Sequence, residues 1–151
     1  MNGKNTLLIV FLLACFIDGF AAENETVTVH DAWIAEGPPV VKIHAGYVEI
    51  ENAGRSDVIL NEVTSPNFER IEIHRSVTVD GIAKMQYQES VTIPANGHLS
   101  FAPGGYHLML FDARKPIRAG ETVSLSFFFN NGEAINAEAK IKTMRHEPHS
   151  H

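Results

Sequence analysis

The chain has 151 residues with a formal charge of −6; 44% are apolar and 20% charged. That is enough for one domain with a real core and too few for two ordinary ones. The negative balance argues against nucleic acid or an anionic membrane surface as a partner, and a single cysteine excludes a disulfide framework.

Lys4 precedes an apolar stretch over residues 7–17, and small residues follow at Gly19, Ala21 and Ala22. This is the layout of an export signal, with cleavage expected after Ala21 or Ala22. The apolar run is shorter than the roughly 20 residues of a membrane span, so no stable membrane insertion is expected. Lys4 and Asp18 cancel, so cleavage leaves the charge unchanged. Leu12-Leu13-Ala14-Cys15 loosely resembles a bacterial lipobox and offers the alternative of a lipid anchor at Cys15. Against it, Phe16-Ile17 continues the apolar run where a polar linker belongs. On the cleaved reading the mature chain holds no cysteine, hence no thiolate ligand, which suits an oxidising compartment.

Short β-rich runs follow in order at Tyr47-Val-Glu-Ile-Glu51, Val58-Ile-Leu-Asn-Glu-Val63, Ile71-Glu-Ile-His-Arg-Ser-Val77 and Val123-Ser-Leu-Ser-Phe127. Several alternate with period two, as half-buried strands do. Turn signals separate them: Asn52-Ala53-Gly54, Asp80-Gly81, Asn96-Gly97, Pro103-Gly104-Gly105 and Asn131-Gly132, each expected to use a positive φ at Gly or Asn. No long amphipathic helix and no internal repeat interrupts the pattern. Many strands at short spacing imply an all-β antiparallel sandwich or barrel. After Ile141 the apolar pattern is lost. The expected organisation is a signal at 1–22, a β domain at 23–142 and a mobile tail at 143–151.

Four soft-metal ligands stand out: His74, ten residues, Met85, twenty-one residues, then His107-Leu108-Met109. A thioether is a neutral, polarizable sulfur that competes poorly for hard cations and well for Cu(I), whereas zinc recruits thiolate, imidazole and carboxylate. If Asp80-Gly81 is a two-residue hairpin turn, Val79 faces Ile82, Ser76 faces Met85 and His74 faces Tyr87. His74 and Met85 then become diagonal neighbours on one surface. His107 and Met109 also share a face, because they are two apart on a strand. Tyr106, Leu108 and Leu110 take the opposite parity and form a core stripe, so His107 and Met109 should face outward or into a rim. Ile71, Ile73 and Val77 share the core parity of their strand, while Glu72, His74 and Ser76 share the polar one. Polarity alone points Lys84 and Gln86 to solvent and Met85 inward. Hairpin pairing says the reverse and outweighs polarity, since a bulge is the only easy way to break it.

The spacing His74-x10-Met85-x21-His107-x-Met109, with Pro103-Gly-Gly-Tyr-His-Leu-Met109, resembles the periplasmic copper chaperone family PCu(A)C. The resemblance extends from Asp31-Ala-Trp33 through Gly46-Tyr-Val-Glu-Ile-Glu-Asn52 and Ile93-Pro-Ala-Asn-Gly97 to the last strand near Ile141. It implies a cupredoxin-like Greek-key β-barrel binding Cu(I) at His74, Met85, His107 and Met109. It also implies delivery to a copper-accepting partner such as a cytochrome c oxidase subunit or its assembly factor. Family members often carry further methionines where this chain has Arg75, Ser76 and Ala83, which puts auxiliary methionine contacts in doubt.

The tail adds Met144, His146, His149 and His151, a composition suited to a second, weaker metal site, such as one for Cu(II), used in storage or scavenging. His30, His44 and His98 lack matched partners and are read as structural or surface residues. A blue-copper protein needs a Cys ligand, and a His-brace oxygenase needs His as its first mature residue; this chain offers neither. A metal-independent interaction sandwich would leave the four-residue spacing as coincidence. The expected role is therefore carriage rather than catalysis, in the periplasm.

Overall fold

The computed structural model describes residues 26–38 and 40–144. The expected signal, Cys15 and tail residues His146, His149 and His151 lie outside them. Ten strands are described: β1 (Val27–Glu36), β2 (Ile43–Asn52), β3 (Val58–Thr64), β4 (Phe68–Val79), β5 (Ile82–Gln88), β6 (Val91–Ile93), β7 (Gly97–Phe101), β8 (Tyr106–Ala113), β9 (Thr122–Phe129) and β10 (Ala134–Thr143). They form one sheet in the order β5-β4-β8-β7-β2-β1-β10-β9-β3-β6, with β8 also pairing β2. This is the expected all-β, cupredoxin-like architecture. Pairing is antiparallel except between β1 and β10 and at the single contact of β7 with β8.

The sheet wraps around one core. Ile73, Leu108 and Leu110, near one end of the strand order, belong to the same buried cluster as Leu60, Leu125 and Phe127 near the other. The chain crosses between these ends through the short connection from β3 to β4, where the Ser65 hydroxyl donates to the Ser124 carbonyl and accepts from the Asn67 amide. Apolar residues at alternate positions dictate this inner face, because successive strand side chains point to opposite sides. In β9, for example, Val123, Leu125, Phe127 and Phe129 are all buried.

Asp80 and Gly81 take φ of 53° and 75°, the two left-handed positions of a type I′ turn, so the β4–β5 hairpin closes in the register expected from sequence. Val79 pairs Ile82, Ser76 pairs Met85 and His74 pairs Tyr87. The Asn52-Ala53-Gly54 turn departs from expectation, since none of its residues has positive φ. Asn52 holds it from within: buried, it donates to the carbonyls of Ser56, Ile93 and Pro94 and accepts the Gly54 amide. Asn96, rather than Gly97, takes the left-handed position of the next turn.

Candidate metal centre

Three neighbouring strands carry the four residues singled out by spacing, and strand pairing brings them to one outer face. His74 on β4 stands directly opposite His107 on β8, and Glu72 stands opposite Met109. Met85 on β5 lies opposite Ser76, diagonal to His74. The ring centroids of His74 and His107 are 6.0 Å apart. An ion about 2 Å from an imidazole nitrogen lies about 3 Å from that ring's centre, so the separation suits one ion shared by both rings.

Exposure is graded across this face. Met85 is 66% exposed, His74 and Met109 are half-buried, and His107 is only 6% exposed. Every residue of β5 except half-buried Gln88 is exposed, because the hairpin projects beyond the core. That is why polarity misleads for Met85: in a strand with neither face covered, apolar and polar residues carry no inward or outward signal. His107 points outward, as its parity requires, yet it is buried. β2 pairs β8 up to Gly46 opposite Leu108, and Tyr47, the next residue of β2, is buried as well. Tyr47 stacks on Trp33, with centroids 4.4 Å apart. At the β5 side, Tyr87 packs edge-on against His74, with centroids 5.9 Å apart.

The second ring nitrogen of each histidine is engaged. His74 Nε2 lies 2.8 Å from a Glu72 carboxylate oxygen, and Glu72 is paired with Arg70, whose guanidinium sits 3.9 Å from the Phe111 ring centre. His107 Nδ1 lies 3.1 Å from the Gly105 carbonyl, which also accepts the Ser76 amide. His74 Nδ1 and His107 Nε2 are buried without a hydrogen-bond partner. Burial holds the His74 imidazole below its ordinary value, with the Arg70 charge acting in the same direction. Glu72 alone would favour the cation, but its charge is compensated by Arg70. A neutral imidazole is the form that ligates a metal.

Among the described residues, no three His, Cys, Asp or Glu side chains gather in a metal-sized group. Any ion held on this face would draw on the methionines, a donor set that disfavours zinc and calcium. The remaining histidines stand apart. His30 bonds Asp31 and Glu51 at the surface, His98 is exposed, and His44 is buried edge-on against Phe68. Met144 is exposed at the end of β10. The sequence reading missed Glu72 as a partner of His74, although their shared parity could have exposed it.

The family described as "Putative lipoprotein LpqE-like" matches residues 27–141. The chain belongs to that family. The LpqE-like match takes in every strand as far as Ile141, and together with solved PCuAC domains that share this fold it supports the PCu(A)C family. A protein of Leifsonia xyli subsp. xyli, "Putative lipoprotein Lxx21020", is 31% identical over 122 residues, 80% of this chain and 72% of that protein. The solution structure of CuI-DR1885 from Deinococcus radiodurans is similar with 27% identity and a TM-score of 0.64, covering 82% of each chain. The copper-bound PCuAC domain from PmoF2 has a TM-score of 0.67 at 17% identity, covering 79% of this chain and 94% of that one, and attests the fold. No helix among the described residues is long and apolar enough to cross a membrane.

Proposed function

We propose that this LpqE-like chain is an exported copper metallochaperone that holds Cu(I) through His74, Met85, His107 and Met109. The observation that carries this reading is the pairing of His74 with His107 on a face that also bears both methionines. Two relatives of the same fold are described as copper-bound or CuI forms. Two imidazoles and two thioethers leave the charge of Cu(I) unchanged and need no deprotonation, so the ion binds without a redox step or proton release.

Graded exposure gives the transfer a direction. Exposed Met85 is the ligand that an incoming donor displaces first, and buried His107 is the last to let go. Release by successive ligand exchange requires no catalysis. The recipient is a copper-accepting periplasmic protein, such as a cytochrome c oxidase subunit or its assembly factor, and the tail with Met144, His146, His149 and His151 serves as a weaker capture site for Cu(II).

X-ray absorption on the Cu(I)-loaded protein, with and without residues 143–151, tests the site. Mixed nitrogen and sulfur ligation that survives tail removal is expected; its loss would move the chemistry to the tail. Oxidase copper content in cells lacking the protein, rescued by the wild type and not by His107→Ala, tests delivery.

A second reading of localisation draws on the lipoprotein description of both the family and the Leifsonia relative. In it Cys15 carries a lipid anchor, and the barrel is tethered to a membrane surface. Mass spectrometry of the exported protein separates the readings: a diacylglyceryl-modified Cys15 at the N-terminus against an unmodified chain beginning at Ala22 or Glu23.

A further inference from the structure

We infer that Glu72 is a positioning residue that makes His74 bind its ion through Nδ1, while His107 binds through Nε2. The inference rests on the copper-carrier reading above and deepens it. Its basis is which ring nitrogens are left with a free lone pair.

A carbonyl oxygen only accepts hydrogen bonds, so the 3.1 Å contact of His107 Nδ1 with the Gly105 carbonyl requires the proton on Nδ1. Nε2 of His107 then carries the lone pair, and it is buried without a partner. A carboxylate likewise only accepts. The 2.8 Å contact of His74 Nε2 with Glu72 therefore puts that ring's proton on Nε2 and the lone pair on Nδ1, which is also buried and unpartnered. Two rings facing each other across the β4–β8 ladder thus present unlike nitrogens, one δ and one ε, as their available donors.

A buried ring nitrogen left unpaired is unfavourable, and a metal bond removes that penalty. Metal-ligating histidines characteristically donate the other N–H to a carboxylate or a backbone carbonyl, which fixes the tautomer and raises ligand basicity. Here the carboxylate is Glu72, held in turn by Arg70, and the carbonyl is that of Gly105, held by the Ser76 amide. Ligation by His74 Nε2 instead would require breaking the Glu72 contact and would leave the carboxylate facing only Arg70. The pairing of Glu72 with Met109 across the ladder places this positioning group beside the second methionine.

The test uses the ¹⁵N-labelled protein with assigned imidazole rings, first metal-free and then with one equivalent of Ag(I), a redox-inert mimic of Cu(I) whose nuclear spin couples to bound nitrogen. The metal-free rings are expected to carry protons on His74 Nε2 and His107 Nδ1. Silver should couple to His74 Nδ1 and His107 Nε2. Glu72→Gln keeps a carbonyl acceptor and should retain this pattern. Glu72→Ala should spread silver coupling onto His74 Nε2 and weaken Cu(I) binding 10- to 100-fold, as loss of such supporting groups generally does. Coupling at His74 Nε2 in the wild type overturns the inference while leaving the copper-carrier reading intact. So does a Glu72→Ala protein with unchanged coupling and affinity. Silver that couples to neither ring overturns the copper-carrier reading and the inference together.

Discussion

His74 and His107 face each other across two adjacent antiparallel strands, with ring centroids 6.0 Å apart, although 32 residues separate them in the chain. The face they share also bears Met85 and Met109.

Met85 is largely exposed, so Met85→Ala should change stability by less than about 0.5 kcal/mol. It should still lower Cu(I) affinity roughly tenfold or more, equivalent to about 1.4 kcal/mol. Adding Lys84→Met to that variant should not restore binding, because residue 84 points to the opposite face. Competition with a chromophoric Cu(I) chelator reads both; full rescue by Lys84→Met would show that the hairpin register is not what selects Met85.

Gly46 is buried in β2, and a Cβ there would sit 2.9 Å from Leu110 Cδ1 and 3.3 Å from Leu108 Cβ, both side chains fully buried. Gly46→Ala should therefore destabilise the fold by about 1–3 kcal/mol through overpacking. Because Leu108 separates His107 from Met109, the same variant should weaken Cu(I) binding. Denaturant unfolding gives the first effect, and an unchanged midpoint would contradict the close packing of β2 on β8.

Asn52 is 1% exposed and its amide group bonds three carbonyls and one amide. Asn52→Ala removes four hydrogen bonds from this turn, with the Pro94 carbonyl keeping a second donor in the Gly97 amide, and should cost about 3 kcal/mol. Copper affinity, measured well below the new midpoint, should stay within about twofold of wild type, since the turn lies away from the histidine face. A thermal scan with and without Cu(I) checks both halves.

Two histidines should titrate on opposite sides of the ordinary 6.5. His30, bonded first by Asp31 and also by Glu51, has its value raised, so its contribution to stability is complete below 6.5 and is lost as pH rises through the raised value. His74 has its value lowered by burial and then by Arg70, so the folded state resists its protonation and stability falls as pH drops from 6.5 toward the lowered value. Imidazole proton shifts of the metal-free protein, followed from pH 4 to about 9, report both. Asp31→Asn should move the His30 midpoint down and leave that of His74 in place.

The hairpin was legible in the sequence because Asp80-Gly81 demands a type I′ turn, and a turn type fixes register without reference to the rest of the molecule. The outward parity of His107 and Met109 was legible for a similarly local reason, the apolar stripe of Leu108 and Leu110 that alternates with them. The role of Asn52 was not. It reads as a turn former, yet it acts as a buried clasp on carbonyls of residues 93 and 94, which are remote in sequence.

The sequence by itself determined the strand pattern, the thioether and imidazole chemistry of four residues, and the side of each strand on which they lie, since these depend on neighbours a few positions apart. Only the tertiary structure decided that β4 and β8 are adjacent, that His107 is buried while Met85 stays exposed, and that Glu72 and the Gly105 carbonyl engage one nitrogen of each ring. Those outcomes come from pairing between distant segments, and no local periodicity encodes which strands meet.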